Sequence, residues 1–156
     1  MKENLAKELV LLLTKKDKKI ASAESCTGGL FAKLITDIPG SSKVLDESYV
    51  TYANEAKTKI LGVKKETLQK YGAVSEQTVY EMVSGLYEVS KSDVCAVFSG
   101  IAGPDGGTSE KPVGTVYSAL SIDGKITTYK SLHSGSRDEV RHSACYEMME
   151  RILSLL

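Results

Sequence analysis

Apolar positions along the chain switch between helical and strand periods, and the switches predict the order of elements. Leu5, Leu9, Leu12 and Leu13 recur at helical spacing, which predicts a helix over Asn4–Lys16 with Asn4 as its N-cap. The apolar run ending at Ala23 reads as a strand over Lys19–Ala23, and the amphipathic stretch after it as a helix over Thr27–Asp37, stopped by the turn Ile38–Ser42. The β-branched and aromatic segment Tyr49–Tyr52 predicts a second strand. Three helices are expected next: Ala53–Leu61 with Gly62 past its end, Glu66–Tyr71 before Gly72, and Glu76–Ser90 capped by Ser75. Val94–Ser99 has the pattern of a buried strand, Gly100–Gly114 that of a glycine-rich loop, and Thr115–Ile122 with Lys125–Leu132 that of a hairpin about Asp123-Gly124. Val140, Ala144, Met148 and Ile152 recur every fourth residue and predict a closing helix over Arg137–Leu156. The expected architecture is a three-layer α/β/α sandwich around a mixed, mainly parallel sheet, one domain over residues 1–156.

Composition narrows the partners. The chain has 156 residues, a size that buries about 70% of the unfolded surface without disulfide or metal staples. Lys plus Arg equal Asp plus Glu at 20 each, so no summed field draws the protein onto nucleic acid or an anionic membrane. Leu9–Leu13 is the strongest apolar cluster near the start, but charges flank it and no run approaches the roughly 20 residues of a membrane span. Cys26, Cys95 and Cys145 are odd in number and widely spaced, which fits free thiols in a reducing, cytoplasmic compartment. His133 and His142 have no ligand spacing with the cysteines, so no metal or other cofactor is expected.

Four places carry candidate chemistry. At a strand-to-helix corner, Ser25 precedes Gly28 and Gly29, which puts a hydroxyl beside backbone N–H groups aimed at developing negative charge. The same residues also suit a corner that needs only small side chains and a cap. Glu24 can orient a donor or complement the helix macrodipole, and Cys26 is either a rival nucleophile or a small packed hydrophobe. Downstream, Tyr52 and Lys57 offer a phenol and an amine able to take a serine proton, the amine only if it is uncharged. The bland alternative is a strand-end tyrosine and a solvated helix lysine. The third place is the loop Phe98–Thr108, whose Gly100, Gly103, Gly106 and Gly107 let main-chain N–H groups approach an anion. The fourth is Arg137 with Arg141, one turn apart at the start of the last helix and able to clamp a phosphate together.

These segments also carry a resemblance. Ala23–Gly29, Pro39–Ser42, Val50–Lys57, Tyr71–Ser75, Ser99–Gly107 and Lys111–Thr115, in that order, are similar to the CinA C-terminal domain family, the nicotinamide-nucleotide amidohydrolases. The resemblance implies hydrolysis of the carboxamide of nicotinamide mononucleotide to nicotinate mononucleotide and ammonia, within pyridine-nucleotide recycling, by a mixed-sheet α/β/α domain that needs no metal and is often a dimer. It implies Ser25 as nucleophile, Lys57 as its base and Tyr52 as partner in the proton transfer. It also implies Ser42 and Ser99 near the substrate and the phosphate on Arg137 or Arg141; joined with Glu24, Cys26, Thr27 and Gly28 of the corner and Gly100 and Gly103 of the loop, these form the expected substrate-binding set, with the oxyanion held near Cys26–Gly28. Ser99 stands where the family usually has threonine, and Leu45–Tyr49 departs from the usual glycine pair. The chain is expected to be a stand-alone form, without the large N-terminal domain of many CinA proteins. Two other classes stay open: a nucleotide-binding module that does no chemistry, and an amidohydrolase of another carboxamide.

Overall fold

A computed structural model describes residues 2–156, except the side chain of Glu3. After a single 3-10 turn, Lys2–Asn4, the elements are α1 (Leu5–Lys15), β1 (Ile20–Glu24), α2 (Leu30–Thr36), a second 3-10 turn Ser41–Lys43, β2 (Leu45–Val50), α3 (Asn54–Leu61), α4 (Lys65–Tyr71), α5 (Glu76–Ser90), β3 (Val94–Gly100), β4 (Thr115–Ile122), β5 (Lys125–Leu132) and α6 (Arg137–Leu155). The strands form one sheet in the order β2-β1-β3-β4-β5. β1 pairs in parallel with β2 and β3, while β4 is antiparallel to both β3 and β5, so four of the five strands share a direction.

The two faces of the sheet carry separate cores, as the period-2 pattern of β3 requires. Val94, Ala96 and Phe98 join Ile20 and Leu120 against α1, α2 and α6, with Leu9, Leu13, Phe31, Met148 and Ile152 fully buried. Cys95 and Val97 join Ala21, Ala23 and Ala119 against the other helices, with Val79, Met82, Val83 and Leu86 fully buried. This is the expected three-layer sandwich. Gly85 lets α3 and α5 touch, because a Cβ there would lie 1.8 Å from the main-chain oxygen of Leu61.

Most limits hold or shift by a single residue, and three features depart from the sequence expectation for an identifiable reason. Gly28 and Gly29 have φ of +58° and +101°, outside the right-handed helix, so α2 begins at Leu30 rather than Thr27. β2 covers Leu45–Val50 instead of Tyr49–Tyr52, because pairing with β1 runs from Ile20↔Leu45 to Glu24↔Val50 and recruits the polar residues between. Asn4 does not cap α1 through its side chain: it sits in the 3-10 turn, with φ −92° and ψ −14°. Ser75 and Ser136 do cap α5 and α6, the latter in a reciprocal capping box with Glu139.

The topology opens one crevice. From β1 the chain crosses one face through α2 to reach β2, and from β2 it crosses the other face through α3–α5 to reach β3. Loops leaving the carboxyl ends of β1, β2 and β3 therefore part at that end of the sheet, where ligands sit in open α/β folds. The tight α3–α5 contact gives a stability test. Gly85→Ala gains helix propensity but drives a methyl into backbone, and it is expected to lose about 2 kcal/mol net, read as a lowered urea midpoint with an unchanged slope.

Candidate active site

Ser25 follows the last residue of β1 and is held there by its N–H, which donates to the Phe98 carbonyl at 3.1 Å. Beyond it the chain turns sharply, with the Gly28 N–H donating back to the Ser25 carbonyl at 3.0 Å. Glu24 is fully buried, and its carboxylate accepts the main-chain N–H groups of Gly29, Phe31 and Ala32 at 3.2, 2.9 and 3.1 Å. The carboxylate thus caps α2 from inside the core, where its charge complements the helix dipole. A substrate contact is not what this residue offers.

The loop after β2 brings Lys57 to the corner. Thr51 donates its N–H to the Glu24 carbonyl, and three residues later α3 begins, sending Lys57 back towards the corner. Lys57 is 1% exposed, and its Nζ lies 3.0 Å from Ser25 Oγ, 3.0 Å from the Thr51 carbonyl and 3.1 Å from the Tyr52 carbonyl. Among the described residues it makes no salt bridge. Burial lowers its pKa below the usual 10.5, against weaker opposing contributions from Cys26 and Glu55. As a neutral amine it has two N–H donors for the two carbonyls and one lone pair left for the Ser25 hydroxyl proton. The solvated-lysine alternative does not describe this side chain.

Ser25 stands at the mouth of a cleft of about 290 Å³, lined also by Cys26, Tyr52, Gly100, Gly103 and Arg137. Ile101, Ala102, Asp105 and Gly106 complete its wall. A larger groove of about 550 Å³ lies beside Glu76, Tyr80 and Thr128, but it brings together no nucleophile and base. Burial pushes the Cys26 thiol up to about 11, which leaves it protonated at neutral pH and the weaker rival to Ser25. Among the described residues no three His, Cys, Asp or Glu cluster as metal ligands, and no helix is long and apolar enough to cross a membrane.

The other sequence-derived candidates divide. Tyr52 is 59% exposed; its hydroxyl accepts from Arg137 at 3.3 Å, and its main-chain carbonyl, not its phenol, reaches Lys57. Arg137 also donates to the Gly103 carbonyl at 2.7 Å. Arg141 does not share a clamp with it: Nε and Nη2 donate to the carbonyls of Cys26 and Thr27, at 3.1 and 2.8 Å. Thr27 is fully buried, and Gly28 serves the corner's conformation; neither lines the cleft. Ser99 is 1% exposed and donates to the Ala73 carbonyl at 2.8 Å, tying β3 to the loop before α5. Ser42 precedes β2, at the end of the sheet where β1 begins, so the length of β1, roughly 16 Å, separates it from Ser25 within one chain. Of the glycine-rich loop 98–108, residues 100–103, 105 and 106 line the cleft, Asp105 among them without having been a candidate, and the carbonyl of Thr51 has no side-chain signal at all.

The CinA C-terminal domain matches residues 2–156. The chain belongs to that family. Among relatives of the CinA domain, a nicotinamide-nucleotide amidohydrolase PncC of Enterobacter agglomerans is 49% identical over 96% of this chain and 92% of its own length. A CinA-like protein of Petrotoga mobilis is 47% identical over 93% of this chain but only 36% of its own length. The chain thus spans about a third of several relatives it matches, among them a putative competence-damage inducible protein of Caldanaerobacter subterraneus, of which 37% is covered. The crystal structure of the competence/damage inducible protein CihA from Agrobacterium tumefaciens superposes with a TM-score of 0.95 at 39% identity, covering 99% of this chain and 94% of that one.

Within this CinA domain the Glu24 carboxylate is expected to hold the corner together. Glu24→Ala strands one buried and two part-buried donors and should cost about 3 kcal/mol, with Glu24→Gln in between, as measured by chemical denaturation.

Proposed function

We propose that this domain is a nicotinamide-nucleotide amidohydrolase that cleaves the carboxamide of nicotinamide mononucleotide through an acyl-enzyme on Ser25. The observation that carries the reading is the buried amine of Lys57, 3.0 Å from Ser25 Oγ and, among the described residues, with no carboxylate partner. The PncC relative, matched over nearly its whole length, supports the substrate class.

In this mechanism neutral Lys57 takes the Ser25 proton as Oγ attacks the carboxamide carbon. The oxyanion that forms is met by main-chain N–H groups at the Cys26–Thr27 corner. Collapse of the tetrahedral intermediate breaks the C–N bond as the Lys57 ammonium gives its proton to the amide nitrogen, which departs as ammonia. Water then attacks the ester while Lys57 takes its proton; the C–Oγ bond breaks, Lys57 passes that proton to Ser25 Oγ, and nicotinate mononucleotide leaves. Arg137 is the one lysine or arginine among the described residues that lines the cleft, which makes it the phosphate partner in this reading. Lys57 reaches Ser25 directly, so the Tyr52 phenol is assigned to the substrate wall with Arg137 instead of to an obligatory relay.

Two experiments test the proposal. Ammonia release from nicotinamide mononucleotide should fall by at least about 10⁴-fold in Ser25→Ala and Lys57→Met, and by far less in Tyr52→Phe. Near-parent turnover by Ser25→Ala defeats the nucleophile assignment, and ligand-induced thermal stabilisation of the parent without ammonia release points to a binding module. The pH profile has a defined sign. The Lys57 pKa is lowered from 10.5 and the reactive form is deprotonated, so kcat/KM should rise with pH through an apparent pKa below 10.5 and then level off. A profile that falls over the same range contradicts the base role.

A further inference from the structure

The main-chain groups of the Ser25 corner can be followed one by one. The Ser25 carbonyl accepts from Gly28, the Thr27 carbonyl from Leu30 as well as Arg141, and the Cys26 carbonyl from Arg141. The N–H groups of Gly29, Phe31 and Ala32 are taken by the Glu24 carboxylate. Among the described residues, the N–H groups of Cys26 and Thr27 donate to no protein oxygen. They are adjacent, they directly follow the nucleophile, and they lie outside α2, whose own first turn is already occupied.

Arg141 comes from α6, more than a hundred residues further along the chain, and lines no part of the cleft. Its guanidinium lies against Gly28, where a Cβ would be 3.6 Å from Nη2. In a planar trans peptide the C=O of one residue and the N–H of the next point in opposite directions. Pulling the Cys26 carbonyl towards Arg141 therefore turns the Thr27 N–H away from it. The planar fork of a guanidinium holds two carbonyls one residue apart from two separate nitrogens at fixed angles, whereas a lysine has to do so from one rotatable head on a flexible stem.

Resting on the amidohydrolase reading, we infer that Arg141 is a positioning residue: by gripping the Cys26 and Thr27 carbonyls it fixes the main chain of the corner, and with it the place of the N–H groups, that of cleft-lining Cys26 first, that meet the oxyanion formed on Ser25. It acts through the backbone and touches neither substrate nor phosphate.

The test compares Arg141→Lys and Arg141→Gln with the parent on two substrates, nicotinamide mononucleotide and the riboside lacking the 5′-phosphate. Loss of aim at an oxyanion should lower kcat on the order of 10²-fold for both substrates alike, with each KM within about threefold of the parent. A rise in KM confined to the mononucleotide makes Arg141 a phosphate ligand and overturns the inference, as does an unchanged kcat. If both variants fail to fold, the parent protein decides. The 3-boronic acid analogue of the pyridine mononucleotide should form a bond from boron to Ser25 Oγ, its boron becoming a tetrahedral anion as the serine proton passes to Lys57. The Cys26 and Thr27 amide proton signals should then move downfield, and unmoved signals overturn the inference. Absence of ammonia release by the parent from either substrate defeats the amidohydrolase reading instead, and the amide signals still report on the corner.

Discussion

An amine buried without a counter-charge is the constraint on which the site depends. Taking an ammonium out of water costs several kcal/mol when no carboxylate accompanies it, so Lys57 is driven towards its neutral form. The main-chain carbonyls of Thr51 and Tyr52 satisfy the donors of that neutral form without supplying a full negative charge. A glutamate in their place would stabilise the ammonium and remove the base. What remains for Ser25 is a lone pair at hydrogen-bond distance, the arrangement by which a weak nucleophile is activated.

Holding that geometry requires the neighbouring elements to be rigid. The Ser25 corner is pinned from the sheet by Phe98, from within by the Glu24 carboxylate, and from α6 by Arg141. Each tie also fills a main-chain valence that burial would otherwise leave open, so stability and positioning come from the same bonds. The cleft wall opposite the corner is the glycine-rich loop after β3, to which Arg137 is fastened through Gly103. Two arginines one turn apart on α6 thus make contacts on two sides of one corner, Arg137 on the cleft wall and Arg141 with the main chain just after Ser25.

Every residue of the cleft lies within the span matched by the CinA C-terminal domain. The pairing of a corner serine with a helix lysine needs only β1, β2 and the start of α3, three consecutive parts of the chain. The loop after β3 and the helix α6 add the cleft wall and its bracing from further along the sequence. The division explains how relatives much longer than this chain can carry the same unit.

Periodicity made most of the fold legible. The limits of α5, β4 and β5 follow directly from apolar spacing, capping and the Asp123-Gly124 turn, because those signals are local. Where glycine dihedrals or strand pairing set a boundary, as at Leu30 and Leu45, apolar spacing misplaced it. The site was legible as residue types and motifs, with Ser25, Lys57 and the glycine loop all marked in advance. The partners were not. That Tyr52 serves Lys57 through its carbonyl, that Ser99 and Glu24 turn into the framework, that Ser42 lies at the far end of β1, and that Arg141 grips the corner are facts of distance across the fold. By itself the sequence determined which groups were available and which elements carried them, since propensity and hydrophobic period act over a few residues. Only tertiary packing decided which of those groups meet, because burial, main-chain carbonyls and the direction of a side chain are properties of the assembled layers.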